Sequence, residues 1–166
     1  MIEYEVFDNI TADALFLQGK HKEAFERYFY GATGLHDSRA AFDVAYMYHR
    51  GFHVPTNYPL ARKFYRAAAA LEGGAALFNL ALMEIRGLGA PPDLRAAARH
   101  MEEAAAIDCI DAQLYLGTAY TLGCVFDPLN IECLSMIPLQ MNSYSRGMRL
   151  QPTNTNSPRA ASSNSR

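Results

Sequence analysis

His49 and His53 are four residues apart and are the first side chains in this 166-residue chain whose types and spacing could do chemistry. Neutral imidazoles bind zinc. With Asp43 they would supply two nitrogens and a carboxylate, a set that can activate water for hydrolysis. Gly51 lies between them and ends the helix, so the two rings do not share a helical face. No further ligand is evident nearby. No metal or other cofactor is therefore expected, and a metal-dependent hydrolase using His49, His53 and Asp43 stands as the alternative reading. His21, His36 and His100 stand alone and read as structural.

Covalent catalysis needs a Cys or Ser beside an activating base. Cys109 and Cys124 flank an amphipathic helix and read as small buried apolar residues. With Cys133 they make three cysteines without paired spacing, which fits reduced thiols in a cytoplasmic protein. Gly87-Leu-Gly-Ala-Pro-Pro is glycine-rich, but it follows a helix and lacks the Lys-Ser/Thr of a phosphate loop, so it reads as a turn. Glu102, Glu103, Asp108 and Asp111 form acidic pairs without a cleft and read as solvated. No convergent catalytic set emerges, and the chain is expected not to be an enzyme.

Charge narrows the partners. The formal net charge is -2, too small for strong attraction to nucleic acid or membrane by the whole molecule. Residues 142–166 hold Arg146, Arg149, Arg159 and Arg166 and no acid, which leaves the preceding body at about -6. Four spaced arginines without interleaved aromatics are a weak signal for nucleic acid. The acidic N-terminus, from Met1 to Asp8, has no basic or apolar region of a signal peptide. The longest apolar stretch, Ala67 to Ile85, is broken by Glu72, Gly73, Gly74 and Glu84, so no bilayer span is expected.

The elements that must position these residues repeat every 36 positions between Ala40 and Gly123. Ala40, Ala76 and Ala112 form one set. Val44, Leu80 and Leu116 form another, and the small residues Ala45, Ala81 and Gly117 a third. Gly51, Gly87 and Gly123 close each unit. Such periodicity marks a repeat array. Asp8 or Thr11 caps a first helix ending at Leu17, and a second runs from Glu23 to Thr33, ended by a left-handed Gly34. A third runs from about Ser38 to Arg50, a fourth from the Asn57 cap to Leu71, and a fifth from Ala75 to Arg86. A sixth follows the Asp93 cap to Ala106, and a seventh runs from Ile110 to Leu122. Asp127-Pro128 starts a short eighth that stops before Pro138. Beyond Met141, Ser, Thr and Asn make up about half the residues, a composition that cannot bury enough apolar surface to fold. Residues 1–141 are thus one helical domain, with hairpins at about 8–33, 38–71, 75–106 and 110–137, and 142–166 a disordered tail.

Ala40-x3-Val44-Ala45-x2-Tyr48-x2-Gly51, followed by Ala61-x2-Phe64-Tyr65-x2-Ala68-Ala69, resembles the Sel-one-like repeat, a relative of the tetratricopeptide repeat. The next copy has Glu84 in place of the tyrosine and His100-Met101 in place of the aromatic pair. The third restores Leu116-Gly117 and Tyr120. The first hairpin, with Gly19-x-His21-x2-Ala24, resembles the tighter tetratricopeptide turn. The resemblance covers about residues 8–137 and implies an all-α fold: a right-handed α-solenoid of about four antiparallel helical hairpins. It further implies a scaffold that binds a protein or peptide segment in a concave groove lined by the first helix of each hairpin. By position the groove residues are Arg39, Asp43, Tyr46, His49 and Arg50, then Asn79, Leu82 and Arg86, then Asp111, Tyr115 and Thr118. An exposed stacking face at either end could form a homodimer. The weak last hairpin fits a terminal cap, and it equally fits a truncated or frame-shifted piece of a longer array.

Overall fold

A computed structural model describes residues 8–71 and 73–121. Among these residues it contains seven helices: α1 (Asn9–Leu17), α2 (His21–Gly34), α3 (Ser38–Arg50), α4 (Tyr58–Ala69), α5 (Gly74–Arg86), α6 (Leu94–Ala106) and α7 (Ile110–Thr121). The fold is all-α, and no strand occurs among the described residues. Each helix packs chiefly on its neighbours in sequence, most extensively α3 on α4 and α5 on α6. Three hairpins, α1–α2, α3–α4 and α5–α6, are followed by α7, the first helix of the fourth unit. The expected eighth helix, Cys124, Cys133 and the arginine-bearing tail lie outside the described residues.

Local chemistry sets the helix ends. The carboxylates of Asp8, Asp37 and Asp93 and the amide oxygen of Asn57 accept backbone N–H groups at the starts of α1, α3, α6 and α4. Those N–H groups have no partner within the helix. At the other end, α3 and α5 stop on Gly51 (φ 75, ψ 32) and Gly87 (φ 66, ψ 34), both left-handed. After each glycine the chain makes the same bonds one period apart. Phe52 N donates to Met47 O at 3.1 Å, and Leu88 N donates to Met83 O at 2.9 Å. Asn57 N donates to Tyr48 O at 2.9 Å, and Asp93 N donates to Glu84 O at 3.1 Å.

Four expected boundaries change: α4 ends at Ala69 and not at Leu71, α5 starts at Gly74 and not at Ala75, and both ends of α2 move. Gly34 belongs to α2, Leu35 caps it, and the left-handed residue is His36 at φ 53. A histidine at positive φ is uncommon, so the glycine was the natural but wrong choice. α2 also starts two residues earlier than expected, at His21.

The core is a chain of three clusters. Ala12, Ala24, Tyr28, Val44 and Met47 join α1, α2 and α3. Ala41, Ala45, Ala61, Tyr65, Leu80 and Met83 join α3, α4 and α5. Phe78, Ala81, Ala97, Met101, Tyr115 and Ala119 join α5, α6 and α7. Half-buried Tyr48 and Phe64 pack against both the first and second clusters. Ala45 and Ala81 are fully buried, as close helix approach requires. Gly117, the third of that set, is exposed, with open space where a Cβ would stand.

Candidate functional site

α3, α5 and α7 are the first helices of successive repeat units, and the positions expected to line a groove recur along them. Asp43, Asn79 and Tyr115 occupy one register, and Tyr46, Leu82 and Thr118 another. The structure divides these residues by depth. Asp43, Tyr46, Asn79, Leu82 and Tyr115 are buried. Arg39, Arg50, Arg86 and Thr118 are exposed, while His49 and Asp111 are half-buried. The cause is the stack itself. α3 is packed between α2 and α4, and α5 between α4 and α6, so little of either helix stays free.

The buried members have interior partners. The Tyr46 ring stacks on Phe52 at 5.9 Å, and Phe52 meets Phe16 edge-on at 5.3 Å. Asn79 Nδ2 donates to Ala75 O at 2.9 Å within its own helix. Tyr115 meets Phe78 edge-on at 6.3 Å.

Asp43 sits in a small electrostatic cluster that the sequence did not announce. Arg39 Nη2 donates to Asp13 Oδ2 at 2.6 Å, and Tyr28 Oη donates to Asp13 Oδ1 at 2.6 Å. Arg39 Nε is 4.0 Å from Asp43 Oδ2, which has no hydrogen-bond partner. Burial, reinforced by the charge of Asp13, pushes the Asp43 carboxyl up to about 8. Arg39 opposes that rise but does not cancel it, because its fork is spent on Asp13 and is half-exposed.

The set His49, His53 and Asp43 is not brought together. His49 lies edge-on to Tyr58 at 5.8 Å and to Tyr65 at 6.2 Å. Burial, followed by Arg50 and Arg86, holds its pKa below the ordinary histidine value. His53, at φ 64, lies 6.1 Å from the ring of Phe25. Among the described residues no three His, Cys, Asp or Glu side chains gather as a metal site. Cys109 is half-buried against the third core cluster, and burial raises its thiol pKa, which keeps it in the unreactive thiol form.

A polar triad around a buried carboxylate was missed from the sequence. Glu84 on α5 is 2% exposed. Arg62 Nη2 of α4 donates to its Oε1 at 3.3 Å, and His100 Nδ1 of α6 is 2.8 Å from its Oε2. His100 thus does not stand alone. The signal was present as two departures in one repeat copy. Glu84 stands where Tyr48 stood, and His100 where Phe64 stood. Tyr48 and Phe64 stack at 6.0 Å with their rings 13° apart. The next repeat replaces that stacked pair with a polar contact at 2.8 Å between the equivalent helices α5 and α6.

The family model described as Sel1 repeat matches residues 38–72 and 74–108. Among the solved structures that match, the chain is similar to the crystal structure of a Sel1 repeat protein from Oxalobacter formigenes. The identity is 26% and the TM-score 0.62, over 75% of this chain and 51% of that one. The chain therefore spans about half the length of that neighbour. No curated protein matches. No helix among the described residues is long and apolar enough to cross a membrane.

Proposed function

On the premise that this is a Sel1-like repeat protein, with Sel1 repeats at residues 38–72 and 74–108, we propose that it is a non-enzymatic adaptor. It holds a segment of a protein partner along the face of α3, α5 and α7. Sel1 repeats are in general protein–protein interaction modules.

The observation that carries the reading is the equivalence of Arg50 and Arg86. Each is the last residue of the first helix of its repeat, each is exposed, and each stands in front of the same left-handed glycine turn. Two planar donor forks at a spacing fixed by the stack suit carboxylates or carbonyls on an extended segment. Arg39, Asp111 and Thr118 extend the rim. Asp43, Tyr46, Asn79, Leu82 and Tyr115 shape the floor from below. A cytoplasmic location accords with the free thiol of Cys109.

The test is affinity capture with the full chain, followed by mass spectrometry, comparing the parent with the double variant R50E/R86E. Both side chains are exposed, so the helical circular dichroism should be unchanged. Binding of the captured partner should weaken at least tenfold. Undiminished capture by the folded variant would sink the assignment of this face.

A further inference from the structure

A second group of charges lies on α4 and uses none of the residues of the proposed groove. Arg62, Lys63 and Arg66 line one side of a pocket of about 320 Å³, with Pro59 from the first turn of α4 and Gly89 and Ala90 from the α5–α6 loop. No lining residue is acidic. The loop is held close by a backbone approach. At Gly89 (φ 77) a Cβ would stand 2.7 Å from Tyr58 C and 2.9 Å from Pro59 N. Only glycine fits that wall, both for its positive φ and for the space.

Arg62 is the deep member, 7% exposed. Its Nη2 donates to Glu84 Oε1, while its Nη1 is buried without a hydrogen-bond partner. Buried donors are ordinarily satisfied, and one that is not calls for a cause. Lys63 and Arg66 are exposed at the rim. Glu84 offsets one of the three positive charges and leaves two in excess. A water can satisfy an N–H group, but it does not balance charge.

We propose that this pocket is an oxyanion site, which takes a phosphate or carboxylate group against the guanidinium of Arg62 and the heads of Lys63 and Arg66. Planar guanidinium forks pair with both anions, and charge-assisted bonds are the stronger kind. The proposal is independent of the groove, and R50E/R86E should leave it intact.

The experiment is a titration of the isotopically labelled full chain, followed by amide chemical shifts. Sodium phosphate, sodium acetate and sodium chloride are compared at constant ionic strength. Saturable shifts at Arg62–Arg66 and at Gly89 and Ala90 are expected with phosphate or acetate and not with chloride. The tighter of the two anions identifies whether the natural group is a phosphate or a carboxylate. The variant K63Q/R66Q, with both changes at exposed positions, should raise the half-saturation concentration at least tenfold while remaining folded. Gly89→Ala should also weaken saturation by displacing the loop. Shifts that rise linearly, that appear equally with chloride, or that survive K63Q/R66Q unchanged would overturn the site.

Discussion

Asp43 is 5% exposed on a helix that is covered on both sides, and its carboxyl ionises only near pH 8. In the unfolded chain the same group ionises near 3.8. Between these values the folded chain keeps a proton that the unfolded chain has released. Stability associated with Asp43 is therefore full below about pH 3.8 and falls as pH rises towards 8. Each pH unit in that window removes up to about 1.4 kcal/mol. Asp43→Asn keeps the shape of the neutral acid and cannot ionise. It should match the parent near pH 4 and exceed it at pH 8 by on the order of 1–3 kcal/mol, as read from urea unfolding at several pH values. Parallel pH profiles for the two proteins would show that the burial argument is wrong. At this scale the sequence was partly legible. Asp8, Asn57 and Asp93 were readable as caps because capping is a contact within three residues. Left-handed His36 was not, since nothing in its immediate neighbours distinguishes it from Gly34. The depth of Asp43 was hidden too, because it is set by helices on either side.

Between helices, one geometric position is filled in two chemical ways. Tyr48 and Phe64 join α3 to α4 by stacked rings. Glu84 and His100 join α5 to α6 by a polar contact at 2.8 Å, and the Arg62–Glu84 ion pair ties them back to α4. A buried ion pair gains little over an apolar pair of the same size, yet removing one partner leaves an uncompensated charge. Glu84→Ala should therefore cost about 3–5 kcal/mol. The double variant R62M/E84M should recover at least half of that loss. Denaturant unfolding of the parent, both singles and the double closes the cycle. Additive losses would mean that Arg62 and Glu84 are not coupled. The repeat pattern showed both departures from the consensus positions. It did not show that they answer each other, because the residues are 16 apart and meet only when the hairpin closes.

Across the whole molecule, stability travels along the stack, since the three core clusters share residues at their borders. Phe64 is such a residue. It stacks on Tyr48, meets Phe29 of α2 at 6.0 Å, and packs against two clusters. It is half-buried, so Phe64→Ala should cost about 3 kcal/mol, the lower end for a truncated aromatic. Amide hydrogen exchange should then quicken in α2 and α5 as well as in α3 and α4. Loss of protection confined to the α3–α4 hairpin would show that the clusters melt separately. The 36-residue period foretold the stack, because each hairpin leaves an apolar face that only a neighbour can cover. The same coverage explains why five of the expected groove residues are interior: position within a repeat gives the direction of a side chain, and the two flanking helices decide whether water reaches it. The twin turns at Gly51 and Gly87 have a last consequence. Their dihedral angles agree within about ten degrees and five residues separate each glycine from the next cap, so the chain leaves both in the same direction. A coding segment that ran from one glycine to the other could be duplicated or excised in the gene, and the polypeptide would resume its course on the far side. Copy number would then change by whole hairpins, with no new joint to evolve.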